Sequence, residues 1–198
     1  MNPFRLGLTG SIGMGKTATA RLFAEEGCAV WDADAAVHRA YGPGGAAVAA
    51  LQHAFPEAIE DGAVSRDALR RIIASDPGAL ARIEAIVHPL VAEDRARFAE
   101  ATGSDIVVFD IPLLFETGAD AAMDAVAVVT VPEAEQRRRV LARDTMTEAD
   151  LDRILARQMP SAEKVARADY VIVTDTPEHA RAQVRAVVDD IRRTRADA

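Results

Sequence analysis

Residues 7–18 read Gly7-Leu8-Thr9-Gly10-Ser11-Ile12-Gly13-Met14-Gly15-Lys16-Thr17-Ala18. The chain has only two lysines, Lys16 and Lys164, and one of them closes this glycine-rich run. From Gly10 to Thr17 the stretch matches G-x-x-x-x-G-K-[ST], with an apolar run before it and an amphipathic run after it. Glycines let backbone N–H groups turn onto phosphate oxygens, and the start of a helix adds partial positive charge. The pattern therefore predicts a loop that cradles a nucleoside triphosphate. Lys16 is suited to the β- and γ-phosphates and the Thr17 hydroxyl to Mg²⁺.

Working outward, five short runs read as strands: 4–9, 29–32, 106–110, 125–131 and 170–174. They are apolar and rich in β-branched residues without clean alternation, which suits strands covered on both faces of a parallel sheet. Helical patterns at 16–26, 132–144 and 177–195 separate or follow them, the second with Pro132 at its start. In the last helix, Ala180, Val184, Val187, Val188 and Ile191 recur at helical spacing. The expected fold is α/β, a doubly wound five-stranded parallel sheet.

Two stretches exceed a minimal alternation of strand and helix. Residues 35–104 read as a helical insertion broken at Gly42-Pro43-Gly44, Asp61-Gly62 and Asp76-Pro77, with no further strand. Residues 143–164 read as a charged helical hairpin broken near Pro160, suited to a lid. The expected organisation is one domain over 1–198, with a core of 1–34, 105–142 and 165–198, the insertion, and the lid.

Other residues have a chemical reading. Asp32 and Asp34 stand at the carboxyl end of the second strand, where ligands of open α/β sheets lie. Asp34 is the candidate base for an acceptor hydroxyl, and Asp32 is a capping or metal-shell residue. Asp110 ends the third strand near the expected Mg²⁺. Leu113, Leu114 and Phe115 are either core or an apolar wall for a substrate. Arg137 and Arg138 suit a solvated basic face, whereas Arg139 and Arg143, four apart, are expected to share a helix face and clamp a phosphoryl group. Arg153 and Gln158 extend the lid, and His88, just before Pro89, is either a packing residue or a substrate contact.

Composition excludes other classes. A net charge of −8 argues against a nucleic-acid footprint. No apolar run approaches the ~20 residues of a membrane span, and no signal peptide is apparent. Cys28 is the single cysteine, which rules out an intrachain disulfide and suits a buried small hydrophobe. The expectation is a cytoplasmic protein, a monomer or weak homo-oligomer. No N-K-x-D string reads a guanine base, so a small-molecule kinase is favoured over a GTPase. A regulatory nucleotide-binding protein without turnover is the alternative from another class.

These residues together resemble the dephospho-CoA kinases across nearly the whole chain. The loop at 7–17 is similar to that family's GLTGGIGSGKS. Asp32-Ala33-Asp34 with His38, His88-Pro89, Pro112-Leu113-Leu114-Phe115-Glu116, Arg153-Ile154 with Gln158, and Ala168-Asp169-Tyr170-Val171-Ile172 resemble its further motifs in order and spacing. The resemblance implies phosphorylation of the ribose 3′-hydroxyl of dephospho-CoA by ATP with Mg²⁺, giving coenzyme A and ADP. Another small-molecule acceptor, a nucleotide or a sugar, is the alternative. The resemblance further implies Asp34 as base, an ATP cradle of Gly13, Met14, Gly15, Lys16, Thr17 and Ala18, an acceptor-binding insertion, and acceptor contacts from His88, Leu113, Leu114, Phe115 and Glu116. Departures are Ser11 and Met14 in the loop, Ile73-Ala74 where an aromatic is common, and Thr174-Asp175-Thr176 where asparagine and a small residue are usual.

Overall fold

The computed structural model describes residues 2–143 and 146–197. The expected end of a helix at Asp144, residues 144–145 of the expected lid, and the two terminal residues lie outside the described residues. The chain divides into two compact units, Met1–Trp31 with Gly103–Ala198, and Asp32–Thr102.

The first unit is built on the sheet. Strands β1 (Phe4–Thr9), β2 (Ala29–Asp32), β5 (Ile106–Asp110), β6 (Ala125–Thr130) and β7 (Tyr170–Val173) take the order β2-β5-β1-β6-β7. Leu6 pairs with Val108 on one side and Ala125 on the other, both in parallel register. Every residue of β5 is buried, which explains its uninterrupted apolar sequence. Helix α1 (Lys16–Glu25) buries Thr19, Ala20 and Phe23. Helix α9 (Pro177–Ala196) buries the five positions its spacing picks out, from Ala180 to Ile191. The apolar side chains among these join Leu6, Leu8 and Ile172 in one core, each large buried one contributing about 1.5–3 kcal/mol. Thr176 caps α9 by accepting from the His179 N–H at 3.1 Å, and Pro177 takes the first turn.

Between β6 and β7 stand α6 (Glu133–Leu141), α7 (Glu148–Leu155) and α8 (Ser161–Ala166). Helix α7 opens with a capping box in which Thr147 and Asp150 satisfy each other's amides. Among the described residues, no helix is long and apolar enough to cross a membrane.

The second unit carries α2 (Ala33–Tyr41), α3 (Val48–Ala54), α4 (Arg66–Ser75) and α5 (Ala79–Ala101) around a core that includes Leu51, Phe55, Leu69 and Ile83. The expectation of helices without strands is corrected here. Ile59–Glu60 (β3) and Ala63–Val64 (β4) form an antiparallel hairpin around Asp61-Gly62. Both turn residues have positive φ, 50° and 76°, the geometry that a two-residue hairpin needs and that an Asp-Gly pair supplies. Pro89 lies inside α5 without ending it.

Candidate active site

The loop between β1 and α1 is shaped by what surrounds it. A Cβ on Gly10 would come within 2.3 Å of a Val129 methyl, so β6 lies against the loop where only glycine leaves room. Gly15 has φ 89°, and a Cβ there would lie 2.9 Å from the Thr174 hydroxyl. The outward carbonyls are held from neighbouring elements. Gln136 Nε2, on α6, donates to the Ile12 carbonyl at 2.7 Å, and Thr174 Oγ1 donates to the Met14 carbonyl at 2.7 Å. In a planar trans peptide, C=O and N–H point opposite ways. Fixing these two carbonyls outward therefore aims the Gly13 and Gly15 N–H groups into the loop.

Helix α1 begins directly behind with no side-chain cap and no acidic residue in its first turn. Helices α2, α4, α7 and α9 are each capped by a side chain, whereas α1 shares an uncapped start with α3, α5, α6 and α8. What sets α1 apart is the glycine loop in front of it, the arrangement that lets helix-start amides meet a phosphate. Lys16 opens α1, and its ammonium pairs with the Asp110 carboxylate at the end of β5. Thr17, in the first turn, is exposed.

The Met14 N–H donates to the Ser11 carbonyl at 3.2 Å, and its side chain is buried with Sδ accepting from the Val131 N–H at 3.2 Å.

Arg137 and Arg138 pair with acidic neighbours, Arg137 with Glu133 and Asp152 and Arg138 with Glu135. Arg139 differs: it pairs with Glu135 at 2.6 Å and also donates to the Thr174 hydroxyl at 3.2 Å and the Thr174 carbonyl at 2.7 Å. Hydrogen bonds from Arg138 and then Arg139 hold the Glu135 pKa down to about 2. The expected shared face of Arg139 and Arg143 is corrected. Helix α6 ends at Leu141, where the Ala142 N–H returns to the Arg138 carbonyl and the Arg143 N–H to the Val140 carbonyl, so Arg143 lies in the turn beyond the helix.

After β5, the Ile111 N–H returns to the Leu8 carbonyl and the Thr9 hydroxyl donates to the Pro112 carbonyl at 3.0 Å. Of the next residues, Leu114 and Phe115 are buried and Leu113 is exposed. Leu114 packs beneath Gly7, where a Cβ would meet its side chain at 2.8 Å. Glu116 is engaged internally: it takes the Met159 N–H at 2.9 Å and meets the fully buried Lys164 ammonium at 2.8 Å. Burial opposes the Glu116 charge, but Lys164 and the Met159 amide outweigh it and hold its pKa below the usual range. Arg167 stacks on the Phe115 ring at 4.4 Å and pairs with Asp120. Arg153 pairs with Asp150, and Gln158 keeps a buried side-chain oxygen without a hydrogen-bond partner.

In the second unit, Asp32 accepts from the Ala35 N–H at 2.9 Å and caps α2, leaving Asp34 exposed in the first turn. His88 is exposed on α5. Among the described residues no three His, Cys, Asp or Glu side chains gather as a metal site. Sequence reasoning missed Gln136 and Thr174. The first carried no signal beyond its place on a helix, and the second showed only as a departure after the last strand.

The parallel sheet, the glycine loop leading into α1 and the lysine at the helix start define an α/β fold of the P-loop kinase type. The sequence matches the dephospho-CoA kinase family over residues 4–179, and the chain belongs to that family. It is 68% identical over 189 residues to a protein named dephospho-CoA kinase from Ruegeria pomeroyi, covering 96% of each chain. A Thermus thermophilus crystal structure is 32% identical, with a TM-score of 0.84 over 96% of this chain and 98% of that one. A dephospho-CoA kinase structure from Campylobacter jejuni, 22% identical, shares the fold with a TM-score of 0.69 over 94% and 96% of the two chains.

Proposed function

We propose that this protein transfers the terminal phosphoryl group of ATP to the ribose 3′-hydroxyl of dephospho-CoA, releasing coenzyme A and ADP. The observation that carries the proposal is the glycine loop leading directly into α1 with Lys16 at its first position, in a chain of the dephospho-CoA kinase family. In this reading the Gly13 and Gly15 amides and Lys16 hold the β- and γ-phosphates. Asp34 takes the proton of the acceptor hydroxyl as its oxygen bonds to phosphorus. His88 and Leu113 contact the acceptor, Glu116 acts through the segment it anchors, and Arg139 and Arg143 are the cations for the phosphoryl charge.

The exposed Thr17 hydroxyl and the Asp110 carboxylate are oxygen donors of the kind Mg²⁺ accepts, and substrate phosphates and waters complete such sites. Bound there, the ion would supply charge neutralisation on the phosphate oxygens. Residues 143–164 serve as a lid, the whole chain acts as one kinase domain, and a cytoplasmic monomer or weak homo-oligomer completes the proposal.

The test is release of ADP from Mg-ATP with dephospho-CoA, adenosine, AMP, shikimate and gluconate compared side by side. Turnover with dephospho-CoA at least tenfold above the others supports the proposal, and preference for another acceptor sinks it. Asp34→Ala is expected to keep ATP affinity within a few-fold while losing most of kcat. An equal loss of ATP binding would remove Asp34 from the acceptor side.

A further inference from the structure

We propose that Thr174 is a positioning residue of the nucleotide site, holding the Met14–Gly15 peptide for the phosphate chain and fixing Arg139 beside it. It acts on the triphosphate rather than on the base. The inference rests on the reading that the glycine loop binds ATP phosphates.

Thr174 follows β7 and is buried, and its N–H donates to the Thr130 carbonyl at 3.0 Å, so its backbone continues the sheet. A hydroxyl has one proton to give. Here that proton goes to the Met14 carbonyl at 2.7 Å, and the oxygen accepts from Arg139 Nη1 at 3.2 Å. Arg139 Nη2 secures the Thr174 carbonyl at 2.7 Å, so arginine and threonine are locked as a pair. The side chain lies against Gly15, at 2.9, 3.2 and 3.3 Å from where a Cβ would stand, which accounts for glycine at that position. With its proton and one acceptor direction already used inside the protein, the hydroxyl is set to shape the loop, not to read an adenine edge. The Met14 carbonyl turned toward Thr174 fixes the opposite direction of the Gly15 N–H.

Thr174→Val keeps the shape while leaving the Met14 carbonyl and Arg139 Nη1 without this partner. It is expected to raise the KM for ATP and the inhibition constant of pyrophosphate by about tenfold each, the scale of a stranded buried acceptor. Inhibition by adenosine and the KM for dephospho-CoA should stay within about twofold, and Thr174→Ser should remain close to wild type. Should the valine variant not fold, Thr174→Ala is compared with Thr174→Ser by the same constants. An unchanged ATP KM overturns the proposal. So does adenosine inhibition weakened as much as ATP, which would place Thr174 at the base, or a serine variant as impaired as the valine one, which would leave only methyl packing. Failure of the wild-type protein to bind either ATP or pyrophosphate would instead remove the phosphate-loop reading itself.

Discussion

Replacing Lys164 by methionine removes a buried charge and leaves its partner behind. Lys164 has 1% of its side chain exposed and Glu116 18%, and their charged atoms stand 2.8 Å apart. Breaking a buried pair by deleting one member typically costs ~3–5 kcal/mol, because the remaining charge stays desolvated. Glu116 keeps the Met159 amide and some water contact, which points to the lower end, about 3 kcal/mol. For a domain of this size each kcal/mol moves Tm by roughly 2–4 °C, so the melting point should fall by about 6–12 °C.

The double variant Lys164→Met/Glu116→Gln leaves no uncompensated charge and should regain most of the loss, giving a coupling of about 2 kcal/mol in a double-mutant cycle. The pH dependence has a defined sign. Glu116 has its folded pKa lowered below the ordinary 4.5, so its pairing stabilises the fold above about that pH and is lost as pH falls through the folded value. The gap between wild type and Lys164→Met should therefore narrow below pH 4.5. Chemical denaturation of the four proteins at neutral pH and at low pH measures all of this. A single variant within about 1 kcal/mol of wild type, or additive losses in the double variant, would refute a pair that matters energetically.

Gly15→Ala should weaken ATP binding at least about tenfold in a calorimetric titration, because the alanine needs a left-handed φ at ~1–2 kcal/mol and meets the Thr174 hydroxyl. Retained affinity would show that the loop moves away from Thr174 when filled. Burial, with Asp105 and Glu26 nearby and Arg192 opposing them, pushes the Cys28 thiol up to about 11. At pH 8 its thiolate fraction is then about one in a thousand, and alkylation by iodoacetamide should be far slower in the native protein than after unfolding. Equal rates in the two states would mean that the thiol is accessible.

The strands were legible because central strands of a parallel sheet must be apolar throughout, and β5 and β6 are buried along almost their whole length. The glycine loop was legible because its residues are close in sequence. Asp61-Gly62 was visible too, but its helical surroundings made it read as a break when two residues on either side were enough for a hairpin. The shared helix face of Arg139 and Arg143 was misread for a local reason: a spacing of four implies one face only while the helix lasts, and α6 stops at Leu141. Glu116 with Lys164 and Thr174 with Met14 join residues far apart in the chain, and no residue type or spacing announces such partners. Lys164 was the second of two lysines in an arginine-rich chain, yet only its burial distinguishes it from a solvated charge.

Strand order explains why the distant residues converge on the loop. β1 lies between β5 and β6, with β7 outside β6. The loop leaving β1 thus has the end of β5 on one side, which brings Asp110 to Lys16. On its other side the end of β6 and the start of α6 bring Val129 against Gly10 and Gln136 to the Ile12 carbonyl. One strand further out, the end of β7 brings Thr174 to the Met14 carbonyl and Arg139 to Thr174. Every contact comes from a carboxyl end or the segment just beyond it, as a parallel sheet requires when its strands all finish at one edge. The motif at 10–17 supplies a chain able to bend around phosphate. The three neighbouring strand ends decide which way its peptides face, and this is why a change at Thr174, outside the motif, is expected to act as a change within it.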